Sequence, residues 1–263
     1  MNNQPLAAEG TSRGIAELVL VRHGESVGNI ADREAIAAKA HHLDLEERDA
    51  DVVLSEEGEK QADALGEHIA SLPEDERPTI VVSSPYQRAR STAERALADL
   101  GLDVVIDERI RERELGIFDG ITWYGIEASR PEESARRARV GKFYYRPPGG
   151  ESWADVILRV RSILVELQER FAGERVWLFS HEAVILAFRY VVEGLDEKQV
   201  VALQKSEPLA NCSMTRYRAV DGALQLVRRD DTEAVEESDE AHVTREEPVG
   251  EERVGDDPAE GDA

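Results

Sequence analysis

The sequence predicts an α/β fold: one mostly parallel, doubly wound sheet with helices on both faces. Three apolar runs carry this expectation, Glu17–Val21 (ELVLV), Thr79–Ser83 (TIVVS) and Arg175–Phe179 (RVWLF). Strands covered on both faces of a parallel sheet read as such runs rather than as an alternation. Between them lie segments with helical apolar spacing, so strands and helices alternate along the chain. No internal repeat is visible.

Element by element, the first strand follows a loose N-terminus and leads into a polar stretch reaching about Val53. Ser55 is the expected N-cap of a helix to about Ser71, with Ala62, Leu65, Ile69 and Leu72 on one face. After the second strand come a helix over Tyr86–Leu100 and a short strand over Asp103–Ile106. Ser152 and Asp155 form a capping pair for a further helix. Its apolar positions, Trp153, Val156, Ile157, Val160, Ile163, Leu164, Leu167 and Phe171, follow the helical period. Beyond RVWLF, Glu182–Val192 is apolar nearly all round. Met214–Arg218 and Leu224–Arg228 are candidate edge strands joined by the turn-like Asp221-Gly222.

Composition bounds the function. In 263 residues, 41% are hydrophobic and 33% charged, which fits a soluble globular chain. The longest apolar run, Ala183–Phe188, is far short of a membrane span, so no membrane association is expected. A single cysteine, Cys212, and the absence of a signal-like start fit a cytoplasmic location. Of the net charge of −23, residues 230–263 hold −13, with fifteen acidic residues and two arginines. That stretch is expected to be a disordered acidic tail following a domain over residues 1–229, since it has little to bury. The remaining −10 argues against a nucleic-acid partner, which needs clustered Lys and Arg. A phosphorylated substrate would need a few local cations against this background.

Those cations stand at strand ends. His23 follows the first strand and His181 follows RVWLF, while Ser83-Ser84-Pro85 leads from the second strand to Arg88. In doubly wound sheets the carboxyl ends of strands face the ligand crevice. Arg22 and Arg88 suit bidentate phosphate recognition, and neighbouring guanidinium charges would keep a nucleophilic imidazole neutral. A lone histidine is more often structural, so the convergence of several such groups is what points to phosphoryl transfer.

Val21-Arg22-His23-Gly24-Glu25-Ser26 with Asn29, then Leu54-Ser55-Glu56-Glu57-Gly58, resemble the histidine phosphatase (phosphoglycerate mutase-like) superfamily. So do Ser83-Ser84-Pro85 with Arg88-Ala89, Arg111-Glu112-Arg113-Glu114-Leu115-Gly116 with Asp119-Gly120, and Ser180-His181. The resemblance implies that His23 is the phosphorylated nucleophile. It implies a phosphate pocket of Arg22, Arg88 and His181, with Asn29 and Ser26 as further contacts. Glu112 would be the proton donor, with Glu114 as a rival. No metal or other cofactor is implied. The implied activity is hydrolysis of a small phosphorylated metabolite. Alternatives are a phosphoglycerate mutase and a non-catalytic binding protein. Tyr145 and Arg146 lie in a segment resembling the substrate loop of the fructose-2,6-bisphosphatase branch; a simple connector fits equally well. Glu182 stands where the family commonly has a small residue and is expected to turn outward. The long stretch 30–53 is a candidate lid. Its His41-His42 pair has no third ligand in sequence to suggest a metal. Trp123-Tyr124 and Phe143-Tyr144-Tyr145 read as packing or lid aromatics. Oligomeric state is left open.

Overall fold

The structure, a computed structural model, describes residues 14–246. In chain order the regular elements are β1 (Glu17–Arg22), α1 (Val27–Ala37), α2 (Glu56–Ser71), β2 (Ile80–Ser83) and α3 (Gln87–Ala96). Then come β3 (Val104–Ile106), α4 (Trp123–Ser129), α5 (Pro131–Val140), α6 (Trp153–Arg170) and β4 (Arg175–Ser180). The last are α7 (Glu182–Glu193), α8 (Glu197–Ser206), β5 (Met214–Val220), β6 (Ala223–Asp231) and the one-turn α9 (Glu233–Glu236).

Six strands form one sheet in the order β3-β2-β4-β1-β5-β6. The first four are mutually parallel; β5 is antiparallel to β1, and β6 to β5. The sheet is therefore mixed, a parallel core with an antiparallel edge hairpin. Asp221 and Gly222 both have positive φ at its turn, as a primed turn demands. Strand alternation divides the core. Leu18 and Leu20 of β1, with Val176 and Leu178 of β4, pack on one face against α6 and α7. Val19 and Val21, with Trp177 and Phe179, pack on the other against α2 and α3. Both faces are covered, which is why these strands are apolar throughout.

Two expectations are corrected. The polar stretch after β1 opens with a helix, α1, capped reciprocally by Ser26 and Asn29. Its buried side is only Ala31 and Ala35, too faint a stripe to register as helical periodicity. The domain also does not end at 229. Strand β6 runs through Asp231, and Val235 and Ala241 are buried against Leu54, Ala62, Ala64 and Cys212. A small-residue surface lets a few alanines and one valine close tightly, so residues 230–246 are not a disordered tail. The rest of that stretch, 247–263, lies outside the described residues, as does the N-terminus before residue 14.

Candidate active site

The strand order brings the carboxyl ends of β1, β4 and β2 side by side, β4 in the middle. Arg22 ends β1 and His23 follows it, its backbone N–H donating to the Ser180 carbonyl at 3.0 Å. The His23 carbonyl accepts from Asn211 Nδ2 at 3.1 Å. Beyond His23 the chain presses on the start of α2. A Cβ on Gly24 would lie 2.6 Å from the Gly58 carbonyl oxygen, and one on Gly58 would lie 1.9 Å from that of Glu25. Glycine at both places follows from this approach. Ser55 caps α2 through the Gly58 N–H while its own N–H donates to the Glu25 carbonyl at 2.9 Å.

The two imidazoles meet, ring centroids 5.2 Å apart. His23 Nδ1 lies 2.7 Å from the Gly24 carbonyl oxygen. A carbonyl only accepts, so Nδ1 carries the proton and Nε2 presents its lone pair. Burial, then Arg88 and Arg22, hold His23 well below the ordinary histidine range. Burial and Arg88 do the same to His181. Both rings are thus neutral near pH 7. His181 Nε2 is 2.8 Å from Ser84 Oγ, and its Nδ1, 4.0 Å from Glu112 Oε2, has no hydrogen-bond partner among the described residues.

The sequence-predicted cations arrive at the same place. Arg22 and Arg88 are both buried, and both act on the two histidines. Glu112 is held above the ordinary carboxylate range by burial, although its side chain retains 22% exposure. Its Oε1 accepts the Arg113 N–H at 2.7 Å, and its main-chain carbonyl accepts from Arg159 Nη2 at 3.3 Å. Arg159 also binds the Arg109 carbonyl at 2.6 Å and Glu151, pinning the segment that carries Glu112. Glu114 instead accepts from the Tyr86 hydroxyl at 2.7 Å. Asn29 donates from Nδ2 to Glu246 Oε1 at 2.8 Å.

Other candidates go elsewhere. The Ser26 hydroxyl is spent on the α1 cap. The Tyr145 hydroxyl donates to Glu133 at 2.7 Å, and Arg146, 62% exposed, pairs with Asp155. Glu182 does not turn outward: its Oε1 accepts the Leu209 N–H at 3.1 Å, drawn in by Arg22. Burial raises its affinity for a proton, and neighbouring Glu246 adds to this. His41 and His42 are exposed, and no cluster of three metal-ligating side chains occurs among the described residues. Sequence reading missed Ser84 as a partner of His181. It also missed two carboxylates at the arginines, Asp49 on Arg88 and Glu246 on Arg22. Ser84 stands beside Pro85 in a quoted motif and was findable; the two acids lie in segments with no motif to flag them.

The model of the histidine phosphatase superfamily (branch 1) matches residues 18–232. The chain belongs to this family. Relatives include the phosphoglycerate mutase-like protein 4 of Arabidopsis thaliana, 32% identical over 212 residues, 79% of this chain and 81% of that one. The glucosyl-3-phosphoglycerate phosphatase of Mycobacterium tuberculosis is 36% identical over 160 residues, 61% of this chain and 62% of that protein, short of two thirds of its length. The structure of the mycobacterial glucosyl-3-phosphoglycerate phosphatase with inorganic phosphate superposes with a TM-score of 0.65 at 27% identity, covering 84% of this chain and 99% of that one. Members of this superfamily similar to the chain thus carry phosphatase and mutase-like names. No helix among the described residues is long and apolar enough to cross a membrane.

Proposed function

We propose that the protein is a metal-independent phosphoric monoester hydrolase that acts on a small phosphorylated metabolite through a phosphohistidine at His23. The observation that carries this reading is the pair of buried imidazoles, ring centroids 5.2 Å apart, beside the buried Arg22 and Arg88, with His23 Nδ1 turned to the Gly24 carbonyl so that Nε2 is left to act as nucleophile. In the first step Nε2 attacks phosphorus, forming a P–N bond as the P–O bond to the leaving group breaks. The proton for the departing oxygen comes from Glu112, whose burial raises its pKa, the direction a general acid needs. In the second step water attacks phosphorus, Glu112 takes its proton, and the P–N electrons return to His23. Arg22, Arg88 and Asn29 grip the non-bridging oxygens, supplying the charge neutralisation that in-line transfer requires. A neutral His181 donates from Nδ1 to the same group if its Nε2 accepts from Ser84. The buried Cys212, without a second cysteine to pair with, supports a cytoplasmic setting.

A second reading, a mutase that returns the phosphoryl group to its product, draws on the name of the Arabidopsis relative. The test is to incubate the pure protein with a panel of phosphorylated metabolites in EDTA and to measure inorganic phosphate and isomerised product together. Hydrolysis that persists in EDTA and vanishes in His23→Ala supports the reading. Loss of activity on chelation, or full turnover by His23→Ala, refutes it; isomerisation without phosphate release favours the mutase.

A further inference from the structure

The phosphate-gripping groups already hold an anion, and it belongs to this chain. Glu246 reaches Arg22 in a fork, Oε2 at 2.7 Å from Nη1 and Oε1 at 2.5 Å from Nη2, and Oε1 also accepts from Asn29 Nδ2 at 2.8 Å. Two parallel N–H···O bonds are how a guanidinium holds a phosphoryl group as well as a carboxylate. On the other arginine, Asp49 Oδ1 lies 2.9 Å from Arg88 Nη1, and the Asp49 carbonyl accepts from the same nitrogen at 2.6 Å.

The segment that delivers Glu246 is anchored. The Asn211 N–H donates to the Thr244 carbonyl at 2.8 Å, and Thr244 Oγ1 donates to Asn211 Oδ1 at 3.0 Å. Gln61 Nε2 donates to the His242 carbonyl at 2.7 Å and to Thr244 Oγ1 at 2.9 Å. Arg245 pairs with Asp230 at 3.1 Å, and Ala241 is buried. Asn211 and Gln61 also hold the His23 carbonyl and the Glu25 N–H, so strap and catalytic loop share their supports. The carboxylate is also opposed. Glu182 sits within its field, and two like charges by one arginine repel. Glu182 repels any anion placed there, a phosphate included, but a dianion also draws more from the Arg22 guanidinium than the single charge of Glu246 does, and it can take over the same two N–H donors.

We propose that the C-terminal strap is a tethered competitor: Glu246 occupies the Arg22–Asn29 subsite, and a phosphorylated substrate binds by displacing it. This rests on the proposed function only in taking that subsite for the phosphate grip. A competitor seated about nine-tenths of the time raises the apparent Kd of an external anion about tenfold.

The test compares the full chain with Glu246→Gln, Glu246→Ala and, as a control for loss of one acid from the same segment, the exposed Glu240→Gln. Calorimetric titration with inorganic phosphate reads binding without turnover, and KM for p-nitrophenyl phosphate reads the working site. Both Glu246 variants are expected to bind phosphate about tenfold more tightly, with KM falling by a similar factor, while Glu240→Gln matches the parent. Unchanged or weaker phosphate binding in Glu246 variants that melt with the parent overturns the proposal, as does an equal gain in Glu240→Gln. If phosphate binding tightens but no variant hydrolyses any phosphomonoester, the competitor stands and the hydrolase reading falls.

Discussion

Gly58→Ala sets two effects of opposite sign against each other. Alanine is favoured over glycine within a helix by about 1 kcal/mol, and Gly58 lies in the first turn of α2, so propensity alone predicts stabilisation. The contact predicts the reverse. The new Cβ would sit 1.9 Å from the Glu25 carbonyl oxygen, where ordinary contact begins at 3.4 Å, so one backbone must retreat by about 1.5 Å. That carbonyl accepts from the Ser55 N–H at 2.9 Å and the Ser55 hydroxyl at 3.3 Å. Losing both costs about 2 kcal/mol, and overpacking adds roughly 1–3 kcal/mol. The net is a destabilisation of about 2–4 kcal/mol, or a Tm lower by roughly 5–15 °C for a domain of this size. Glu25 is two residues from His23, the proposed nucleophile, and a displacement of this order at a reacting group costs on the order of a hundredfold in rate. Thermal melting and kcat/KM for p-nitrophenyl phosphate provide the assay. A variant that melts within a degree of the parent with unaltered kcat/KM would refute the close-approach argument.

Glu112→Gln removes the proposed acid: kcat/KM should fall about 10²–10⁴-fold for an alkyl phosphate but much less for p-nitrophenyl phosphate, whose leaving group needs no proton; equal losses for both would count against the assignment. His23 is buried neutral with its pKa well below the ordinary value of 6.5. Below about pH 6.5 the unfolded chain therefore binds a proton that the folded chain refuses, and stability falls with pH by up to about 1.4 kcal/mol per unit. His23→Gln should accordingly flatten the decline of Tm between pH 7 and 5, whereas parallel curves for variant and parent would contradict the burial argument. Arg146→Ala should change kcat/KM by less than about twofold and stability by under about 1 kcal/mol, because its guanidinium pairs with Asp155 at the surface; a tenfold rise in KM would return it to the substrate.

Much of this architecture was legible because it is local. The apolar runs of β1, β2 and β4 are set by burial on both faces, and Ser55 and Ser152 cap their helices through their own neighbours. His23, Arg88 and His181 could be grouped because each stands just beyond a strand end, and parallel strands align those ends. What stayed hidden was carried by distant or faint contacts. The Ser26–Asn29 cap was a readable signal for α1, but alanines supply the buried side of that helix. In the C-terminal segment the acidic count outweighed Val235 and Ala241, whose partners lie on α2 and near Cys212. Glu246 meets Arg22 across 224 residues, and nothing in the sequence near either one announces the other. Glu182 is expected from the sequence to turn outward, whereas it turns in to accept the Leu209 N–H, a contact between residues 27 apart that nothing local announces.

The sheet order also governs the birth of the molecule. β1 is the earliest in the chain of the described strands, yet its two neighbours are β4, starting at Arg175, and β5, starting at Met214. While a ribosome extends the chain, ELVLV therefore waits with both edges bare through some 150 further residues, an open template for pairing with another nascent chain. Until β4 emerges, the topology leaves that apolar strand without either of the neighbours that will cover its edges.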